Sequence, residues 1–193
     1  MLYVHILYSP LPEEKTGDDS PQPASLDYSQ RAARLLGENA NKSSSVTVVS
    51  VEPLPADVKQ IETLDRNNQD EREKIFFLFV ISCAADGSVH RSVRRFARSL
   101  PKKKVESNVV LSSRCTAALV LLGHARCDNS AKQMEETVYG AGRRLEKALL
   151  QSNLFSSSSS FARDDAPLKR CETQVELEGP EDKFDEWVSN MLV

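Results

Sequence analysis

The chain has 193 residues, 40% hydrophobic and 27% charged, with a formal net charge of -3. That length and composition support a buried core without disulfides or metals, and the slight negative charge argues against a general nucleic-acid binder, which is usually strongly basic. No apolar run approaches the roughly 18–20 residues of a membrane-spanning helix, and Met1–Tyr8 carries neither a basic leader nor a small-residue cleavage site, so a cytoplasmic protein is expected.

Taken in chain order, Leu2–Tyr8 is a short apolar run stopped by Ser9-Pro10, the pattern of a buried strand. A polar stretch with four prolines follows to Ala24. From Asp27, Tyr28, Ala32, Leu35 and Leu36 recur at helical spacing, and Gly37 stands where a C-terminal cap belongs. Ser44–Val51 is β-branched and predicts a second strand. Val58, Ile61 and Leu64 predict a short helix within Pro55–Leu64.

Lys74–Ser82 (KIFFLFVIS) is the most apolar stretch and predicts a central strand covered on both faces. The helix predicted from Ser88 has Val89, Val93, Phe96, Ala97 and Leu100 on its inner side and is ended by Pro101. Ala117–Leu122 predicts the next strand, leading into Gly123. Met134, Val138, Ala141, Leu145 and Leu149 mark a helix of about twenty residues. Cys171–Leu177 predicts a last strand, and Pro180 opens a last helix with Phe184, Trp187, Val188 and Met191 inward.

Strand and helix alternate five times, which predicts an α/β domain: a parallel sheet with helices on both faces. Residues 1–193 are expected to form a single domain, with flexible loops at 9–24 and at the serine-rich 155–165. In such folds ligands bind at the carboxyl ends of the strands. The loops of interest are therefore Ser9–Ala24, Cys83–His90 and Gly123–Lys132.

Four segments in order resemble the FMN domains of diflavin reductases, the cytochrome P450 reductase-like branch of the flavodoxin family. They are Phe76–Ser82 running into Ala85-Asp86-Gly87 and Arg95–Leu100; Ala118–Gly123; Val138–Leu149; and Glu181–Trp187. Wybutosine-synthesis enzymes carry a similar module, and these segments do not separate the two. The resemblance implies a flavodoxin-like, five-stranded parallel sheet in the order 2-1-3-4-5, FMN as cofactor, electron transfer as activity, and a redox partner or reductase domain as partner.

The same resemblance implies an FMN phosphate near Thr16, Gly17 and Ser20. It implies the flavin ring between the Ala84, Ala85, Asp86 and Gly87 loop and the loop holding Gly123, His124 and Asp128. These loops depart from the family pattern. Glu13, Glu14, Asp18 and Asp19 would repel a dianion, and Pro10, Pro12, Pro21 and Pro23 withdraw backbone donors. Cys83-Ala84-Ala85 and Gly123-His124-Ala125 lack the aromatic ring partners that a flavin face prefers. The FMN site is degenerate, and weak or lost binding is expected.

Other chemistry is thinly represented. His124-x-x-Cys127 has no second pair at metal-ligand spacing. No Gly-x-Ser-x-Gly or Rossmann glycine pattern occurs, and Gly140-Ala141-Gly142 predicts a close-packing site within a helix. No catalytic acid, base or nucleophile is evident. The helix from Ser88 is expected to show His90, Arg91, Arg94, Arg95 and Arg98 on its outer face, followed by Lys102, Lys103 and Lys104, a basic patch for an acidic protein or RNA. Acidic residues gather at Glu172, Glu176, Glu178, Glu181, Asp182, Asp185 and Glu186, and the resemblance to the FMN domains implies that such an acidic surface docks a redox partner. Two functions stand side by side: an FMN electron-transfer module, and a cofactor-free pseudo-flavodoxin that binds protein or RNA.

Overall fold

The computed structural model describes residues 2–10, 24–43, 46–67, 74–83, 89–100, 115–123, 139–152, 168–174 and 181–191. The strands are β1 Leu2–Tyr8, β2 Val46–Pro53, β3 Lys74–Ser82, β4 Cys115–Gly123 and β5 Lys169–Gln174. The helices are α1 Ala24–Ser43, α2 Lys59–Asn67, α3 Arg91–Ser99, α4 Gly140–Ser152 and α5 Glu181–Met191. All strand pairs are parallel, in the order β2-β1-β3-β4-β5. This is the flavodoxin-like α/β fold that the sequence predicts.

The central position of β3 follows from its composition. Ile75 to Ile81 are all buried, because successive side chains point to opposite faces and both faces are covered by helices. On one face Phe77, Phe79, Ile81, Leu119 and Leu121 meet Ile61 of α2, Val93 and Phe96 of α3, and Leu145 and Leu149 of α4. On the other, Phe76, Leu78, Val80, Val120 and Leu122 meet Ala32 and Leu36 of α1, and Phe184, Val188 and Met191 of α5. The Phe79 and Phe96 ring centroids lie 5.9 Å apart. Truncating a fully buried phenylalanine such as Phe96 typically costs about 3–5 kcal/mol.

Several boundaries differ from expectation. α1 runs through Gly37 to Ser43, so Gly37 is a helix-interior residue and not a cap. The reason is geometric: β1 spans about 23 Å, and a return helix that stopped at Gly37 would be about 20 Å long. With 20 residues α1 is about 30 Å long, enough to bring the chain back to the start of a parallel β2. Helix α3 begins at Arg91 and not at Ser88, because Val89 forms an antiparallel bridge with Cys83 and His90 caps the helix. β5 begins earlier than predicted, at Lys169, where it pairs with Ala118. Residues 134–138, 155–165 and 175–180 of the predicted helix, loop and strand lie outside the described residues. No helix among the described residues is long and apolar enough to cross a membrane.

Candidate functional site at the carboxyl ends of the strands

The chain leaves β1 through α1 on one face of the sheet, whereas β3 leads into α3 on the other. The two connections part above the carboxyl ends of β1 and β3, and such a topological switch point opens a crevice where ligands bind in this fold. The described residues at this end of the sheet are Ser9 and Pro10 after β1, Ser82 and Cys83 at the end of β3, Gly123 at the end of β4, and the first turn of α1.

This end of the sheet is tied together by serines. The Ser9 N–H donates to the Val80 carbonyl at 3.0 Å, and the Ser9 hydroxyl accepts from the Ser82 N–H at 2.8 Å. The Ser25 hydroxyl donates to the Ser9 carbonyl at 2.5 Å, and the Ser29 hydroxyl donates to the Ser25 carbonyl at 2.6 Å. Ser9 is 1% exposed and Ser25 is 0% exposed. Ser9 is thus a latch joining β1, β3 and α1, not part of the flexible loop predicted from residue 9. Burial explains the arrangement: polar groups withdrawn from water need internal partners. On the neighbouring strand the Cys83 N–H donates to the Leu122 carbonyl at 2.7 Å.

In position the N-terminus of α1 lies at the carboxyl end of β1, where backbone N–H groups favour an anion such as a phosphate, whereas Asp27 in the same first turn opposes one. The Ser9 and Ser25 side chains contribute nothing to holding one, because their hydroxyls are turned inward and engaged. Of the residues expected to touch the cofactor, only Gly123 is described, as the buried last residue of β4. Thr16, Gly17, Ser20, Ala84, Ala85, Asp86, Gly87, His124 and Asp128 lie outside the described residues.

Beside the crevice, Cys83, Tyr139 and Gly142 meet at the start of α4. Burial pushes the Cys83 thiol up to about 11, against a Gly142 backbone hydrogen bond that favours the thiolate. Burial, reinforced by the Glu172 carboxylate, pushes the Tyr139 hydroxyl up to about 12. At neutral pH both groups are protonated, which suits a packed core better than a nucleophile. Arg143 lies 5.8 Å from the Tyr139 ring centroid and grips Glu172 with both ends of its fork, at 2.9 and 3.0 Å. Arg170 adds contacts to Glu146 at 2.5 Å and Glu172 at 3.4 Å.

This network escapes sequence reasoning, which offers Glu172 as part of an acidic docking surface. Glu172 is engaged by Arg143 and Arg170, and Asp185 is held by Arg31 at 2.6 Å. Two of the acids expected to face a partner therefore tie helices to the sheet or to each other. Nothing in the spacing along one strand or helix could have found these pairs, since Arg143–Glu172 and Arg31–Asp185 join residues far apart in sequence.

The arginines of α3 lie on its outer face, as the sequence predicts. Arg91, Arg94, Arg95 and Arg98 are all exposed, opposite the buried Val93 and Phe96. His90 does not join that outer face. It is half-buried as the N-cap, with Nδ1 accepting from the Ser92 N–H at 3.3 Å. Lys102, Lys103 and Lys104 lie outside the described residues. No group of His, Cys, Asp and Glu able to hold a metal ion occurs among the described residues.

No family model matches the chain, and no curated protein matches it. Among solved structures it is similar to an azoreductase from Bacillus anthracis str. Sterne, at 12% sequence identity and a TM-score of 0.45, over 100% of this chain and 95% of that one. The fold assignment stands on the strand order, register and two-faced core of this chain and not on that likeness.

Proposed function

We propose that this chain is a flavodoxin-type module of an FMN-dependent electron-transfer protein, with a cofactor site so eroded that FMN binds weakly. The observation that carries the reading is the strand order β2-β1-β3-β4-β5, whose switch point lies between β1 and β3, where this fold binds ligands, with α1 beginning at the carboxyl end of β1. In this reading Thr16, Gly17 and Ser20 hold the phosphate, and the ring lies between Ala84–Gly87 and the Gly123, His124 and Asp128 loop. The redox chemistry is the flavin's own, and the chain's contribution is to bind and orient it.

A second reading, a cofactor-free interaction domain, is favoured by the serine latch. The described hydroxyls at the carboxyl end of β1, those of Ser9 and Ser25, are buried and committed to holding β1, β3 and α1 together. Titration of the full chain with FMN, followed by quenching of flavin fluorescence, separates the two. Saturable one-to-one quenching that is lost in Thr16→Ala supports the flavin module. Absence of quenching at FMN concentrations of about 100 μM, far above ordinary cofactor affinities, overturns it in favour of the second reading.

A further inference from the structure

Most of the charges of α3 work against the helix that carries them, Arg98 in the last turn being the one that suits the helix dipole. Arg91, Arg94, Arg95 and Arg98 stand at i, i+3, i+4 and i+7, so each lies one turn from another of the same sign, and like charges at that spacing destabilise a helix. The first turn has no acidic residue to offset Arg91 and Arg94, which sit at the positive end of the helix dipole. Elsewhere, Arg31, Arg143 and Arg170 each hold a carboxylate. None of the ion pairs among the described residues involves Arg94, Arg95 or Arg98. Like charges one turn apart on an exposed face, with none of opposite sign in the first turn, mark a surface shaped for something outside the chain.

We infer that the exposed arginine face of α3 is a docking surface for an acidic protein, whose surface carboxylates it grips by guanidinium forks. Arginine is the side chain suited to this, since its planar fork matches a carboxylate with two parallel hydrogen bonds. The four positions span about 11 Å along the helix axis, the footprint of one acidic helix or strand laid alongside. A nucleic-acid strand fits less well. Single-strand binders combine cationic grooves with aromatic stacking platforms, and the exposed positions of α3 are Arg91, Arg94, Arg95 and Arg98, with no aromatic among them.

The face is firmly mounted. Phe96 and Val93 are buried beneath it. At its far end the Ser99 hydroxyl accepts from the Val58 N–H at 2.9 Å and donates to the Phe96 carbonyl at 2.8 Å. At its near end the Cys83–Val89 bridge fixes the start of α3 to the end of β3. The inference does not depend on whether the chain takes FMN.

The test uses the full chain without added flavin. The probe is a fluorescein-labelled helical peptide of about twenty residues with glutamates at i, i+3, i+4 and i+7. Fluorescence anisotropy is expected to show saturable binding that weakens as salt rises from about 0.05 to about 0.2 M. Arg94→Glu/Arg95→Glu is expected to weaken binding about tenfold or more, and Arg94→Lys/Arg95→Lys to fall between it and the unaltered chain. Arg34→Glu/Arg144→Glu, exposed arginines on α1 and α4, makes the same change of net charge and is expected to leave binding near that of the unaltered chain. Circular dichroism checks that each variant is folded. Equal losses in the two charge-reversal pairs, or no binding by the unaltered chain, would overturn the inference. So would tighter binding to a single-stranded RNA of about twenty nucleotides that the α3 reversal abolishes, since this assigns the face to nucleic acid.

Discussion

Gly142 of α4 lies so close to Leu121 of β4 that a Cβ on the glycine would sit 2.5 Å from Leu121 Cδ2, and 3.2 Å from Cys83 Sγ. Leu121 is fully buried between β3, β5 and α4, so its side chain has nowhere to retreat. The glycine therefore sets the distance between α4 and the sheet, and with it the position of Tyr139.

Gly142→Ala is expected to destabilise the fold. Overpacking a filled core costs about 1–3 kcal/mol, offset by up to about 1 kcal/mol of helix propensity, for a net loss of about 1 kcal/mol in urea denaturation. In a Leu121→Ala background the same change should become neutral or stabilising, because the methyl then fills vacated space. Gly37→Ala provides the contrast. Nothing lies within 4 Å of the added Cβ, so a gain of about 0.5–1 kcal/mol is expected. Losses of equal size at both glycines would contradict the close-approach account.

His5 is expected to make stability fall in mild acid. It is 3% exposed, its ring stacks on Phe77 at 5.4 Å, and Nδ1 lies 2.9 Å from the Ser50 hydroxyl, while Nε2 has no hydrogen-bond partner. The contact with Ser50 arises where the β1–β2 register shifts between Val4 and His5. Burial holds the imidazole below its ordinary 6.5, and the Glu52 carboxylate opposes this only in part. Below that ordinary value the unfolded chain takes the proton more readily than the folded one, so stability is full above it and is lost as pH falls toward the lowered folded value. His5→Leu should flatten that part of the stability profile between pH of about 7.5 and about 5. Parallel profiles for the two proteins would show that His5 is not the titrating group.

Cys83 and Cys171 should be slow to alkylate. Burial pushes both thiols up to about 11 from the usual 9.0, which at pH near 8 lowers the thiolate fraction about a hundredfold. Iodoacetamide labelling mapped by mass spectrometry should therefore be at least about a hundredfold slower at these positions in the folded chain than in urea. Rapid labelling of Cys83 in the folded chain would reveal a thiol open to the crevice, with a role beyond packing.

The strands and their succession were legible because each signal is local. The apolar run Lys74–Ser82 needs no partner to declare itself a strand buried on both faces, and Val93 and Phe96 declare the inner side of α3 by spacing alone. The arginine face was legible for the same reason: four cations at helical intervals opposite an apolar stripe are exposed wherever that stripe is buried. The role of Gly142 was half legible, as small residues in a helix pattern signal close packing without naming the partner.

What the sequence by itself determined, then, was the alternation of elements, the parallel sheet and the side of each helix that faces it, all consequences of hydrophobic periodicity. Tertiary structure alone decided that α1 passes through Gly37, that Ser50 reaches His5, that Ser9 binds β1, β3 and α1 together, and that Glu172 and Asp185 serve internal arginines. Each of these depends on parallel pairing between segments distant in the chain. Such pairing is fixed by burying both faces of a common sheet at once, and no window of neighbouring residues contains that information.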